Sequence, residues 1–332
     1  MKAVSIEQYG GAENLAVREI ENPETADEEV LIRVRAAGVN RADIMQRKGG
    51  YPPPPGASSV LGLEVSGTIE HVSAATAARW GFSKGDRVCA LLPGGGYAEF
   101  TAADAGTVFP VPEGLDLVKA AAVPEAFLTA YHALHLLAGL EEGERVLIHA
   151  GASGVGTAAI QIARINGARV AVTAGSAEKC NACIEYGADI AVNYKEESFA
   201  EAIRGRNNGG GVDVIVDFVG ANYFAANLAV LARDGRLVLL SLLSGSVVEN
   251  IDISPILVKR IRIEGSTLRS RSPDYKRNLV RSFRERILPY FENGKIFPII
   301  DSIYDWGDVA DAHRHMEANK NIGKIVLTGM NG

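Results

Sequence analysis

Apolar positions in the first 110 residues come in short runs broken by glycine and proline. VLIRVRAAGV (30–39), VSGTIEHV (65–72), GDRVCALL (85–92) and YAEFTAA (97–103) predict β-strands separated by turns. YPPPPGASS (51–59) is expected to be a loop, since proline removes backbone donors and stiffens the chain. From about residue 120 the period changes. AAAVPEAFLTAYHALHLLAGL (120–140) predicts a helix that stops at Gly139. Continuous apolar strands then alternate with helices: RVLIHA (145–150), RVAVTA (169–174), IAVNY (190–194), VDVIVDFV (212–219), GRLVLLSLL (235–243) and RIRIEGSTL (260–268). Such alternation predicts an α/β domain whose parallel sheet is covered on both faces. GRNNGGG (205–211) is read as a loop within it. PDYKRNLVRSFRERILPYF (273–291) predicts one amphipathic helix with Leu279, Phe283 and Ile287 on its apolar side, and GKIVLTGM (323–330) a final strand that returns to complete the first domain.

Length and charge narrow the classes. The 332 residues suit two domains, and the formal net charge of −6 disfavours nonspecific nucleic-acid binding. No apolar run nears the roughly 20 residues of a membrane helix. The start, MKAVSIEQYGG, lacks a signal-peptide profile, so a cytoplasmic protein is expected. The three cysteines are too few for a disulfide scaffold. Cys180 and Cys183 form a CxxC on a predicted helix, with no second pair or nearby histidine to complete a metal site. His132, His135, His313 and His315 are read as structural or surface residues.

The strongest chemical signal is VLIHAGASGVGTAAIQIARINGA, a strand, a glycine-rich turn and a helix. Gly151, Ser153 and Gly156 fill the three positions of GxGxxG, and Gly154 adds another small residue. Such a turn bends sharply, offers backbone N–H groups to a pyrophosphate and packs its helix closely. An NAD site usually carries an acid at the end of the second strand. Here that strand ends in Ala174-Gly175-Ser176, with Lys179 to pair with a 2′-phosphate and Tyr194 to add a hydroxyl. NADP is therefore the expected cofactor. A second concentration of polar residues, GVNRADIM (38–45), follows a strand directly and predicts either a turn or a working site.

GVNRADIMQRKGGYPPPPGASSVLGLEVSG, GDRVCALLPGGGYAEF, HAGASGVGTAAIQIAR, NYKEESF and EANKNIGKIVL together resemble the zinc-free quinone oxidoreductases of the medium-chain dehydrogenase/reductase superfamily, over essentially the whole chain. The similarity is greatest to the tumour-suppressor-induced quinone oxidoreductase branch. This resemblance implies a bilobed subunit. A chaperonin-10-like β-rich catalytic domain (1–122 and 288–332) would combine with a doubly wound Rossmann domain binding NADP (123–287), the active site lying in the cleft between them. It also implies a homodimer formed through the Rossmann edge strand, within 260–268. Zinc enzymes of the superfamily carry Cys-His-x-Asp where this chain has Asn40-Arg41-Ala42-Asp43, and Gly-His-Glu where it has Gly62-Leu63-Glu64. Asn40 and Leu63 thus stand at ligand positions without ligand chemistry, and no metal is expected.

Without a Lewis acid, an electron-poor quinone or conjugated enone is an easier hydride acceptor than a simple ketone. The resemblance makes Asn40 and Tyr51 candidates for hydrogen bonds to cofactor or substrate, with Asp43 either functional or only holding the turn. It further implies that Thr129, Val155, Ser241, Leu243, Leu268 and Asn319 line the cofactor. The expected function is an NADPH-dependent quinone oxidoreductase acting on a small molecule. The alternatives are an enone or 2-alkenal reductase, and an NADPH-binding protein with little turnover.

Overall fold

The computed structural model describes residues 1–207 and 209–330. One position of the glycine-rich loop expected at 205–211, Asn208, lies outside the described residues; a helix, Phe199–Arg206, runs into that loop. The chain divides into two compact units. One combines Met1–Leu128 with the chain from Leu268 onward, and the other is Thr129–Thr267. A central unit enclosed by the two chain ends was expected, but its boundaries differ from 123–287. The segment 268–287 belongs to the first unit because its helix, Pro273–Arg286, buries Leu279, Val280 and Phe283 there. Phe283 meets Phe109 edge-on at 5.8 Å, and Arg277 bonds both carboxylate oxygens of Asp104 at 2.9 Å.

The first unit is built on a seven-stranded sheet. Glu29–Val39 is its spine, pairing antiparallel with Glu64–Val72, with Phe100–Asp104 and with the returning strand Lys324–Thr328. Val30, Ile32 and Val34 alternate inward while Arg33 and Arg35 face solvent. The inward side joins a core that includes Val65, Ile69, Val88 and Leu327. At the end of the spine Asn40 turns extended, and the helix Arg41–Arg47 starts at once.

The second unit holds six parallel strands. Their spatial order is Ile190–Asn193, Arg169–Ala174, Arg145–Ile148, Val212–Asp217, Leu231–Leu239 and Arg262–Gly265. In chain sequence this is third, second, first, fourth, fifth, sixth, the order of a Rossmann sheet. Leu147, Ala171, Val192, Ile215 and Leu237 form its interior.

Several predicted elements are shorter or broken. The strand expected at 235–243 begins at Leu231 and ends at Leu239, leaving Ser241 and Leu243 beyond it, with Leu243 54% exposed. The helix expected at 273–291 breaks at Ile287 and resumes as Leu288–Glu292, because Pro289 cannot donate into a continuing helix. The helix expected over 120–140 is divided into Leu117–Ala120, Pro124–Tyr131 and a wider π-helical stretch His132–Leu137. Among the described residues, no helix is long and apolar enough to cross a membrane.

Candidate active site

In the second unit, the glycine turn has the close approaches that its sequence predicts. A Cβ on Gly151 would stand 2.6 Å from Cβ of Val172, and one on Gly156 would meet the Ala150 carbonyl oxygen and lie 2.7 Å from the Gly151 carbonyl carbon. Only glycine lets the turn lie against the next strand and the helix against the turn. Ala150, just before it, adopts the left-handed region at φ 50°. Ser153 caps the helix Gly154–Ile165: its Oγ accepts from the Gly156 N–H at 3.0 Å, and among the described residues its own O–H donates to no partner. The first-turn N–H groups and helix dipole therefore favour an anion at this end.

Gly175, Ser176 and Tyr194 come together at the ends of adjacent strands. Tyr194 donates its backbone N–H to the Ala174 carbonyl at 3.1 Å, and a Cβ on Gly175 would stand 2.8 Å from the Tyr194 hydroxyl. Ser176 caps the helix Ala177–Glu185 by accepting from the Lys179 N–H at 3.2 Å. No carboxylate follows the 169–174 strand at 175 or 176. The Thr129 Oγ1 is buried and, among the described residues, has no hydrogen-bond partner. An orphaned hydroxyl and a cradle that any Cβ would obstruct both fit a dinucleotide. Ser241 and Leu243 lie past the end of their strand, not on it.

In the first unit, Asn40 and Asp43 belong to one buried polar cluster. Asp43 is fully buried; its Oδ2 accepts from the Asn40 N–H at 2.8 Å and the Tyr97 hydroxyl at 3.1 Å, and its Oδ1 from the Gly62 N–H at 3.1 Å. This carboxyl ties the helix start to two separate loops. Burial pushes its pKa up to about 6, although these donors and the charge of Lys324 oppose the shift. The Tyr97 oxygen also lies 3.4 Å from His313 Nε2, whose Nδ1 lies 3.5 Å from Arg47 Nη1. With the Tyr97 proton directed to Asp43, a neutral His313 protonated on Nε2 satisfies both neighbours.

Asn40 directs its amide to protein groups. Nδ2 donates to Glu64 Oε1 at 2.9 Å and to the Gly38 carbonyl at 3.3 Å, and Oδ1 accepts from Lys324 Nζ at 2.6 Å. Lys324 also lies 2.5 Å from Glu64 Oε1 and donates to the Val39 carbonyl at 2.9 Å. A buried ammonium is thus held by three oxygens, one of them from Asn40, and Leu63, next to Glu64 in the chain, is buried. Among the described residues, no three His, Cys, Asp or Glu side chains converge to hold a metal. The other Glu64 oxygen accepts from the Glu125 N–H at 2.8 Å, at the start of the helix Pro124–Tyr131.

Tyr51 lies apart from the Asn40 hydrogen bonds, beside Arg269. That guanidinium sits 5.3 Å from the Tyr51 ring centre and bonds the carbonyls of Pro93 at 2.7 Å and Tyr51 at 3.3 Å, and Gln46 Oε1 at 2.7 Å. The proline-rich loop is therefore anchored through a residue far along the chain. Burial and then the charge of Glu125 raise the Tyr51 phenol, which has no hydrogen-bond partner among the described residues. Asn319 takes the left-handed region at φ 52° and accepts from Arg41 at 2.7 Å, and Leu268 is buried.

Sequence reasoning missed Lys324, Glu125, Arg269 and Tyr97. The signal for Lys324 was present: one charge inside the apolar strand KIVLT has to find a buried partner.

A six-stranded Rossmann sheet carrying this glycine turn, in a chain whose other unit is a β-rich one built from both chain ends, defines a nicotinamide-dependent oxidoreductase. Residues 26–113 match the family described as alcohol dehydrogenase GroES-like domain, and residues 154–285 that described as zinc-binding dehydrogenase. A quinone oxidoreductase of Rattus norvegicus is 33% identical over 332 residues, covering 98% of this chain and 97% of the relative. A mycobacterial structure complexed with NADPH is 32% identical with a TM-score of 0.88, covering 99% of this chain and 100% of the other. The JamJ enoyl reductase in its apo form is 30% identical with a TM-score of 0.85, covering 98% of each. The chain belongs to the zinc-free quinone oxidoreductase family of the medium-chain dehydrogenase/reductase superfamily.

Proposed function

We propose that the protein is an NADPH-dependent quinone oxidoreductase that works without a metal. The observation that carries this reading is the Lys324 ammonium, held at 2.5–2.9 Å by Glu64, Asn40 and the Val39 carbonyl. A cation tethered by the chain takes the oxygens that a metal would need, so the acceptor has to be electrophilic in its own right. Quinones and conjugated enones meet that condition.

When bound, the reduced nicotinamide supplies a hydride. The glycine turn from Gly151 to Gly156 would hold the pyrophosphate through backbone N–H groups and the Ser153 hydroxyl. Ser176, Lys179 and Tyr194 would take the 2′-phosphate, and Thr129 Oγ1, which has no hydrogen-bond partner among the described residues, would bond the cofactor. Tyr51, whose phenol has no hydrogen-bond partner among the described residues, would donate to the acceptor's oxygen. Asn40 and Asp43 act as positioning residues, since their polar atoms already face one another, Glu64, Lys324 and Tyr97. Enone reduction is the second reading, favoured by the likeness to an enoyl reductase.

Following NADPH and NADH oxidation with ortho-quinones, para-quinones and a 2-alkenal tests these readings. Quinone turnover with preference for NADPH is expected. Alkenal preference would favour the second reading, and tight NADPH binding without turnover would leave a binding protein. In the same assay Lys179→Ala should raise KM for NADPH about tenfold or more and leave that for NADH unchanged, in keeping with one lost charged contact. Equal effects on both would sink the assignment of NADP.

A further inference from the structure

Two carboxyl groups of the first unit share a boundary and have opposite surroundings. Glu64 is wholly buried and saturated: Oε1 meets Lys324 at 2.5 Å and Asn40 at 2.9 Å, and Oε2 meets the Glu125 N–H at 2.8 Å. Glu125 is half-buried, and among the described residues its carboxyl makes no hydrogen bond and no ion pair. Lys324, whose charge acts on Glu125, is already paired to Glu64. Arg269 is committed to Pro93, Tyr51 and Gln46, and Lys276 donates to the Arg269 carbonyl.

From this geometry we propose that Glu125 is the acid that delivers the proton accompanying hydride transfer. Reduction of a quinone or enone by two electrons takes up one hydride and one proton. The cofactor, when bound, would supply the hydride. The Glu125 carboxyl O–H bond breaks and an O–H bond forms on the acceptor's oxygen, leaving Glu125 as a carboxylate that regains its proton from solvent. The inference rests on the reductase reading above and names the proton source for it.

The charges around Glu125 agree with a stored proton. Burial first, and then the carboxylates of Glu64 and Asp43, raise its pKa to about 8, while Lys324 and Arg269 oppose them. The charge of Glu125 acts in turn on Tyr51 and Lys276. Two carboxyls whose surroundings hold one salt-bridged and the other protonated near neutrality are the arrangement from which an acid assignment follows.

The test compares wild type with Glu125→Gln, which keeps the backbone N–H to Glu64. In wild type, kcat/KM should fall as pH rises through about 8; the variant should lose about 10²-fold at pH 7 and lose that limb. Infrared spectroscopy without substrate or cofactor should show a protonated carboxyl band in wild type that titrates near pH 8 and is missing in Glu125→Gln. NADPH binding by fluorescence should be equal in both. A variant with wild-type rate and pH limb would overturn the inference and leave the reductase reading intact. So would absence of the infrared band. A wild type inert towards every quinone and enone would instead overturn the reductase reading, and this inference with it.

Discussion

Lys324 shows how one side chain organises a site. Its three ammonium hydrogens face Glu64 Oε1, Asn40 Oδ1 and the Val39 carbonyl, so the cation is both neutralised and fully hydrogen-bonded. That is the condition under which a buried pair persists. The same contacts orient the Asn40 amide, because Oδ1 has to face the ammonium and Nδ2 therefore faces Glu64. Lys324→Met keeps the stem and removes the charge. It leaves Glu64 buried without its cation, and should cost about 3–5 kcal/mol of stability in the first unit. Adding Glu64→Gln removes the stranded charge and should restore a large part. Urea unfolding of the two variants measures this. A single variant as stable as wild type, or a double variant no better than the single, would contradict the pairing.

At the scale of elements, the sheet edge is the feature with a consequence for assembly. Among the described residues, Arg262–Gly265 pairs with one strand, Leu231–Leu239, and is the edge of the sheet, where backbone groups can pair with another chain. The segment leading to it carries Leu257 and Val258 at 82% and 66% exposure. A homodimer that joins two such edges and covers these side chains is the expected assembly. Light scattering should give twice the chain mass for wild type and a shift to monomer for Leu257→Asp. A monomeric wild type would remove the expectation. Most elements of the second unit were legible in the sequence because its strands, buried on both faces, read as unbroken apolar runs. The break at Pro289 was missed because the apolar period continues across it through Ile287 and Phe291. In the candidate site, the contacts easiest to read were those between residues close in sequence, as in Gly151–Gly156 and Asn40–Asp43, or at the ends of adjacent strands, as in Gly175 and Tyr194. Lys324 lies 284 residues from Asn40, and Arg269 lies 223 from Gln46. No spacing rule relates residues so far apart; only the folded sheet does.

At the scale of the whole molecule, buried titratable groups in both units make stability depend on pH in opposite directions. His149 in the second unit is wholly buried between Thr173 Oγ1 at 3.0 Å and Asn227 Oδ1 at 2.8 Å, with Phe199 and Tyr223 against its ring. Burial lowers its pKa to about 4, although the bond to Asn227 opposes this, and His313 in the first unit is lowered to about 3, mainly by burial. Below pH 6.5 the unfolded chain protonates these imidazoles while the folded chain keeps them neutral, so stability falls as the solution is acidified. Asp43 and Glu125, raised to about 6 and about 8, act oppositely, since folding then favours their protonated forms and stability is lost as pH rises through those values. A wild-type profile mixes the two trends, whereas a difference between proteins isolates one group. His149→Gln retains polar atoms for Thr173 and Asn227 but does not titrate. At pH 7 the variant should be the less stable, through imperfect packing among the aromatic rings. On going to pH 4 that deficit should shrink by roughly 3 kcal/mol, the free energy corresponding to an imidazole shifted from 6.5 to about 4. Hydrogen exchange of the strands Arg145–Ile148 and Arg169–Ala174, followed in both proteins from pH 4 to pH 7, reads this difference in the unit concerned. A deficit that stays constant across that range would mean that His149 is protonated in the folded state, and the neutral hydrogen-bonded imidazole would have to be abandoned.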